Sequence, residues 1–156
     1  MDDVDYLGQA IALATANVAD GGGPFGAIVV RDGVVLAQGQ NRVTRDNDPT
    51  AHAEVVAIRR ACAAVGDFAL QGAVLYASCE PCPLCLAAVL WSRLDRVVFA
   101  ADRHAAAESG FDDRAFYELF EQPTDRWERP RIQALRADGA LEPFDAWRSY
   151  QDRIDY

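Results

Sequence analysis

Lysine is missing altogether. All fifteen basic residues are arginine, and they face 24 aspartates and glutamates, which leaves a net charge of −9. Affinity for nucleic-acid polymers comes largely from neutralising phosphates, so this balance argues against a nucleic-acid partner and against an anionic membrane surface. A small, uncharged or locally recognised substrate fits it better. Long apolar runs are missing too: none approaches the roughly 20 residues that span a bilayer. The opening Met1-Asp2-Asp3-Val4-Asp5 is acidic and lacks the basic start of a secretory signal, so a cytoplasmic location is expected. Internal repeats and low-complexity tracts are absent. What remains is an ordinary globular composition. At 51% hydrophobic and 25% charged over 156 residues, the chain can bury a core and is expected to form one domain, 1–156.

The apolar pattern orders the elements. Val4, Leu7, Ile11, Ala14 and Val18 recur at helical spacing over 3–19, and Gly21-Gly22-Gly23-Pro24 stops that helix. Phe25 to Arg31 reads as a strand, Asp32-Gly33 as a hairpin turn, and Val34 to Gln38 as the returning strand. Asn41 to Thr50 is polar and reads as a loop. Ala51 to Val65 is helical, Val74 to Ala77 a short buried strand, and Ser78 to Pro81 a loop. Cys82 to Trp91 is apolar almost all round, which predicts a buried helix. Arg96 to Ala100 is a further strand. Beyond it the pattern weakens: it predicts a loop at Glu108–Asp113, a short helix at Arg114–Glu121, a strand at Arg131–Leu135 and an amphipathic helix at Pro143–Ile154. This order predicts an α/β fold, a mixed sheet with helices on both faces.

Four cysteines stand at positions 62, 79, 82 and 85. In a cytosolic chain a Cys-x-x-Cys pair reads as metal or redox chemistry rather than a structural disulfide. Cys82 and Cys85 lie three apart at a helix start, on one face, where the helix dipole favours thiolates. His52 offers a third donor from another helix start. One imidazole and two thiolates leave the fourth tetrahedral position of a zinc ion open, the arrangement of catalytic rather than structural zinc. Zinc there would lower the pKa of a bound water to about 7. Glu54, two residues after His52, can face that water from the first helical turn and pass its proton to a leaving amine. Cys79 is the residue that could close the site as a fourth ligand. Cys62 reads as a small buried hydrophobe and His104 as a surface residue.

His52-Ala53-Glu54 together with Pro81-Cys82-Pro83-Leu84-Cys85 resembles the zinc-dependent base deaminases of the cytidine-deaminase-like superfamily. The likeness extends through Gly23-Pro24-Phe25-Gly26-Ala27, Gly39-Gln40-Asn41, Asn47-Asp48-Pro49-Thr50-Ala51, Ser78-Cys79-Glu80 and Ala107-Glu108-Ser109-Gly110-Phe111-Asp112-Asp113. With the ending Pro143-Phe144-Asp145-Ala146-Trp147-Arg148 through Tyr156, the chain is similar to the bacterial guanine deaminases within that superfamily.

The resemblance implies a three-layer α/β/α sandwich around a central mixed five-stranded sheet, and a homodimer. It implies hydrolytic deamination of guanine to xanthine and ammonia, with His52, Cys82 and Cys85 binding zinc and Glu54 moving protons. Asn41 would hydrogen-bond the base, Ala53 would line the site, Phe25 and Trp91 would pack on or near the ring, and Asp113 would reach the purine from the far side. The segment of about 140–156 would exchange onto the partner subunit, where Tyr156 closes the neighbour's pocket. Each residue also has a plainer part to play. Asn41 suits a turn, Phe25 and Trp91 suit a core, and Asp112 or Asp113 suits a helix cap. Related small-molecule substrates (guanosine, cytosine, an aminated triazine or pterin) remain as alternatives. So, at greater distance, do a tRNA adenosine deaminase, which the acidic charge opposes, and a non-enzymatic zinc scaffold.

Overall fold

The computed structural model describes residues 1–135 and 137–156. They form two compact units, Met1–Tyr117 and Glu118–Tyr156.

The first unit is built on hydrophobic alternation. Helix α1 (Asp3–Ala19) starts at a reciprocal cap in which the Asp5 N–H donates to Asp2 and the Asp2 N–H donates to Asp5, each at 2.9 Å. Strands β1 (Gly26–Arg31) and β2 (Val34–Gln40) pair antiparallel across a two-residue turn. Asp32 and Gly33 both take positive φ, 52° and 77°, as a mirror-image hairpin turn requires. The polar stretch after β2 contains one short helical turn, α2 (Val43–Asp46), ended by left-handed Asn47. Helix α3 (Ala53–Val65) leads to β3 (Ala73–Cys79), which pairs antiparallel with β1. Helix α4 (Pro83–Trp91) then crosses over to β4 (Arg96–Ala101), parallel to β3.

The sheet order is β2-β1-β3-β4, a mixed sheet as expected. β1 is central and buried almost throughout, and its side chains alternate between two cores. Ala27 and Val29 pack against α3 and α4 through Ala53, Ala57, Ile58, Ala61 and Val89. Ile28 and Val30 pack against Tyr6 of α1 and Tyr76 of β3. This gives helix, sheet and helix as three layers.

The expected fifth strand is not there: among the described residues the sheet has four strands. Arg131–Leu135, the segment suggested for it, is irregular and exposed along its length, because an apolar run this short becomes a strand only beside a ladder partner. Two short helices, α2 and α5 (Arg103–Glu108), add to the predicted elements, the latter capped by Asp102 accepting from the N–H groups of His104 and Ala105. Helix α6 (Arg114–Phe120) forms as expected. Helix α4 is not enclosed: only Cys85 and Val89 are buried, while Leu90 and Trp91 are 72% and 61% exposed.

The second unit holds a 3-10 turn (Thr124–Arg126) and helix α7 (Glu142–Ser149). Phe120 and Trp127 meet edge to face at 5.2 Å. The terminal helix stops at Ser149 rather than reaching Ile154, since Tyr150 turns extended (ψ 110°).

Candidate active site

Two helix starts converge at the ends of β2 and β3. His52 is the N-cap of α3 and Cys82 the N-cap of α4, both in extended backbone. A polar turn delivers His52: the Asp48 carboxylate accepts from the Thr50 N–H (2.8 Å) and hydroxyl (2.7 Å). The Arg42 N–H donates to the Ala51 carbonyl at 2.9 Å and ties the exit of β2 to this turn. Gly39 of β2 lets α3 lie directly on the sheet, because a Cβ there would stand 2.2 Å from the Ala53 carbonyl oxygen. Pro83 occupies the first turn of α4, where its missing N–H costs nothing.

The three donor side chains meet. His52 Nδ1 lies 3.5 Å from Cys82 Sγ and 3.4 Å from Cys85 Sγ, and the two sulfurs are 3.6 Å apart. Tetrahedral zinc, with bonds of about 2.3 Å to sulfur and about 2.0–2.1 Å to imidazole nitrogen, requires donors roughly 3.5–3.8 Å apart. The triangle therefore fits the ion in donor type and spacing. Among the described residues, the metal-binding group with all ligand atoms within 4.8 Å of one another is His52, Cys82 and Cys85. Cys79 is not in it. That residue ends β3, its thiol donates to the Asp102 carbonyl at 3.7 Å, and burial pushes it up to about 11.

Charge follows the geometry. The Cys85 thiol and, after it, the His52 imidazole hold Cys82 down to about 4. Beside Cys82, and buried, Cys85 is raised. Contact with Cys82 likewise raises His52. Glu54, the second residue of α3, is 7% exposed, and its burial raises its carboxyl.

Of the residues suggested for base binding, several gather here. Ala53 is fully buried between His52 and Glu54, and Phe25 packs against the cluster that contains it. Asn41, 8% exposed, donates its N–H to the Phe25 carbonyl at 3.1 Å. The Asn41 side-chain oxygen accepts from the Val43 N–H at 3.2 Å, which fixes its amide orientation and leaves the NH2 without a protein partner among the described residues. The Oδ1 end of the side chain thus fills the turn role. Asp113 precedes α6, and its charge is felt at His52, Cys79 and Cys82. Its Oδ1 is buried with no hydrogen-bond partner among the described residues. A buried carboxylate oxygen so placed has unused acceptor capacity. Asp112 instead pairs with Arg114 at 2.6 Å and accepts the Arg114 N–H at 3.1 Å, an Asx turn at the entry to α6.

Trp91 is six residues beyond Cys85 on α4, roughly 9 Å along the axis, with Arg93 over its ring at 5.9 Å. Tyr156 ends the second unit with 73% of its surface exposed.

Some supports carried no sequence signal. The Tyr117 hydroxyl donates to the Pro81 carbonyl just before Cys82. Arg103 lies 3.4 Å over the Tyr117 ring centre and forks onto Glu80. These residues brace the Cys82 loop from α5 and α6, far along the chain. An apolar groove of about 760 Å³ between α1 and α5 contains Phe25, Cys79 and Phe111 but none of the three donors. The donor chemistry, not this groove, identifies the centre.

Comparison with known proteins agrees with this geometry. Residues 1–101 match the family model for the cytidine and deoxycytidylate deaminase zinc-binding region. The guanine deaminase of Bacillus subtilis (strain 168) is 46% identical over 157 aligned residues, covering 100% of both chains. Its crystal structure superposes with a TM-score of 0.96 at 45% identity, over 100% of this chain and 99% of that one. A guanine deaminase from Nitrosomonas europaea gives a TM-score of 0.66 at 36% identity, over 69% of this chain and 63% of that one. The tRNA-specific adenosine deaminase of Agrobacterium fabrum is 44% identical but covers 65% of this chain and 64% of its own length. The chain belongs to the zinc-binding cytidine and deoxycytidylate deaminase family.

Proposed function

We propose that this protein is a zinc-dependent aminohydrolase that converts guanine and water to xanthine and ammonia. The observation that carries the chemistry is the three-donor triangle with Glu54 buried beside it. Guanine is favoured among aminated bases because similarity to the Bacillus subtilis guanine deaminase runs the full length, whereas the Agrobacterium tRNA-specific enzyme matches about two thirds. The net charge of −9 also disfavours a polyanionic substrate.

His52, Cys82 and Cys85 would hold the ion, which would supply a water acidified to a pKa of about 7. Glu54 would take one proton from the attacking water and hand it to the ring nitrogen beside the carbon that bears the exocyclic amine. It would then take the second proton, from the new hydroxyl on that carbon, and give it to the departing amine, so that the carbonyl forms, ammonia leaves and xanthine remains. The buried position of Glu54 keeps these transfers out of bulk solvent. Asn41 offers its NH2 to an acceptor on the base, the Phe25 ring and Ala53 line its face, and the orphan Oδ1 of Asp113 accepts a ring N–H. A site of this kind rejects analogues that leave its buried polar groups unpaired.

The assembly belongs to the same proposal. The exposed apolar side of α4, with Leu86, Leu90 and Trp91, suits a homodimer contact. Phe144, Tyr150 and Tyr156 are exposed on the second unit, which suits exchange of residues 140–156 with a partner subunit. Tyr156, and Trp91 across the contact, then complete a neighbouring pocket. Thiol ligands suit a reducing, cytoplasmic setting. The test is ammonia release from a panel of guanine, guanosine, adenosine, cytosine and melamine. Guanine as the preferred substrate supports the proposal; release from cytosine or guanosine but not guanine overturns the substrate assignment.

A further inference from the structure

Asn17 has no part in the chemistry above, yet it is fully buried (0% exposed) near the end of α1. Asparagine is a poor residue for a helix interior. Its side chain faces the two segments that flank the proposed base site. Nδ2 donates to the Gly23 carbonyl and to the Asn41 carbonyl, each at 2.8 Å. Two carbonyl partners can be met only by the NH2 end, so the orientation is unambiguous. The Oδ1 end faces Arg45, whose Nη2 donates at 3.5 Å.

The same Gly23 carbonyl also accepts the Phe25 N–H at 2.8 Å, closing the tight turn that aims the Phe25 ring. The loop lies hard against the amide: a Cβ on Gly22 would stand 2.4 Å from Asn17 Nδ2. One side chain therefore fixes the turn that sets Phe25 and the backbone that carries Asn41.

We infer that Asn17 is a positioning residue for the base: it sets the gap between the Phe25 ring and the Asn41 amide by holding the carbonyls behind both. The inference rests on the guanine reading above. Asn17 touches no reacting atom, so its loss weakens binding of the base in ground and transition states alike and raises KM rather than lowering kcat. A merely structural role predicts the opposite pattern, a lower melting temperature and active fraction with KM unmoved.

The experiment compares wild type with Asn17→Ser, Asn17→Ala and Gly22→Ala, the last pressing on the amide from outside. Zinc per chain and ammonia release against guanine concentration are measured for each. Each lost hydrogen bond is worth a factor of about two to ten, so KM is expected to rise about tenfold. The kcat per zinc-loaded site should change by less than about threefold, with zinc content unchanged. Variants that fold with wild-type KM, or that lose zinc instead, overturn the inference, as does failure of all three to fold. If wild type releases no ammonia from any aminated base, the functional reading fails and takes this inference with it. An active wild type with unmoved variants sinks this inference alone.

Discussion

Glu54 stands at the second position of α3, one residue from the buried Ala53 and two from the His52 donor. Mid-helix, residues two apart point away from each other. Here the backbone is still extended at His52 (ψ 153°), so both side chains can face the same point over the helix end. That sets the His52 donor and the proposed proton carrier side by side, with Glu54 outside the donor group. Glu54→Gln keeps the shape and hydrogen-bonding reach while removing the base. Its kcat for ammonia release should fall by about 10²–10⁴-fold, the worth of a general acid–base group, with zinc per chain unchanged. Retained full activity in a zinc-loaded variant refutes the proton-carrier role.

At the scale of elements, the approach of α3 to β2 decides where His52 and Glu54 stand. Gly39→Ala pushes a methyl group against the Ala53 carbonyl, and it should destabilise the protein by about 1–3 kcal/mol, as overpacking does. It should also lower activity in the fraction that stays folded, measured beside a denaturation curve. The opposite end of the sheet is held differently. Arg96 at the start of β4 and the Tyr76 hydroxyl of β3 both donate to the Asp3 carboxylate of α1, two of these bonds at 2.7 Å. Hydrogen bonds from Arg96, then Tyr76, hold Asp3 below its usual value of 3.8. A depressed folded pKa means stability present above that value and lost as pH falls through the folded one. The melting-temperature gap between wild type and Asp3→Asn should thus be larger at pH 7 than at pH 3, with kcat for guanine unaffected. A gap that does not shrink in acid contradicts this.

The same contrasts show which parts of the fold were legible. β1, α3 and the hairpin were readable because each obeys a single period or a turn that glycine makes obligatory. The donor set was readable because His-x-Glu and Cys-x-x-Cys each sit on one helix start. Tyr117, Arg103 and Asn17 were not, since each acts through a backbone carbonyl or side chain distant in sequence, and such pairings leave no spacing behind. The surplus of apolar residues on α4 was visible, but its reading as a buried helix missed that this chain alone does not cover them. The extra strand at Arg131–Leu135 failed because a run that short is decided by its neighbours, not by itself.

At the scale of the whole molecule, the acidic surface and the two compact units frame how the enzyme is used. An uncharged planar base needs no phosphate clamp, and the absence of lysine is no handicap in binding one. If residues 140–156 complete a partner's pocket, truncation after Gly139 should abolish guanine turnover while the zinc content of the first unit stays intact. Sedimentation of both forms would report whether the full chain dimerises and whether truncation changes that. An unaltered rate contradicts a catalytic part for the tail. The most direct measurement is a zinc titration of metal-stripped protein, following ammonia release from guanine as the ion is added back. Activity that climbs linearly and saturates at one zinc per chain is the predicted result, whereas activity that ignores zinc, or a fully loaded protein that releases no ammonia from guanine, contradicts the account.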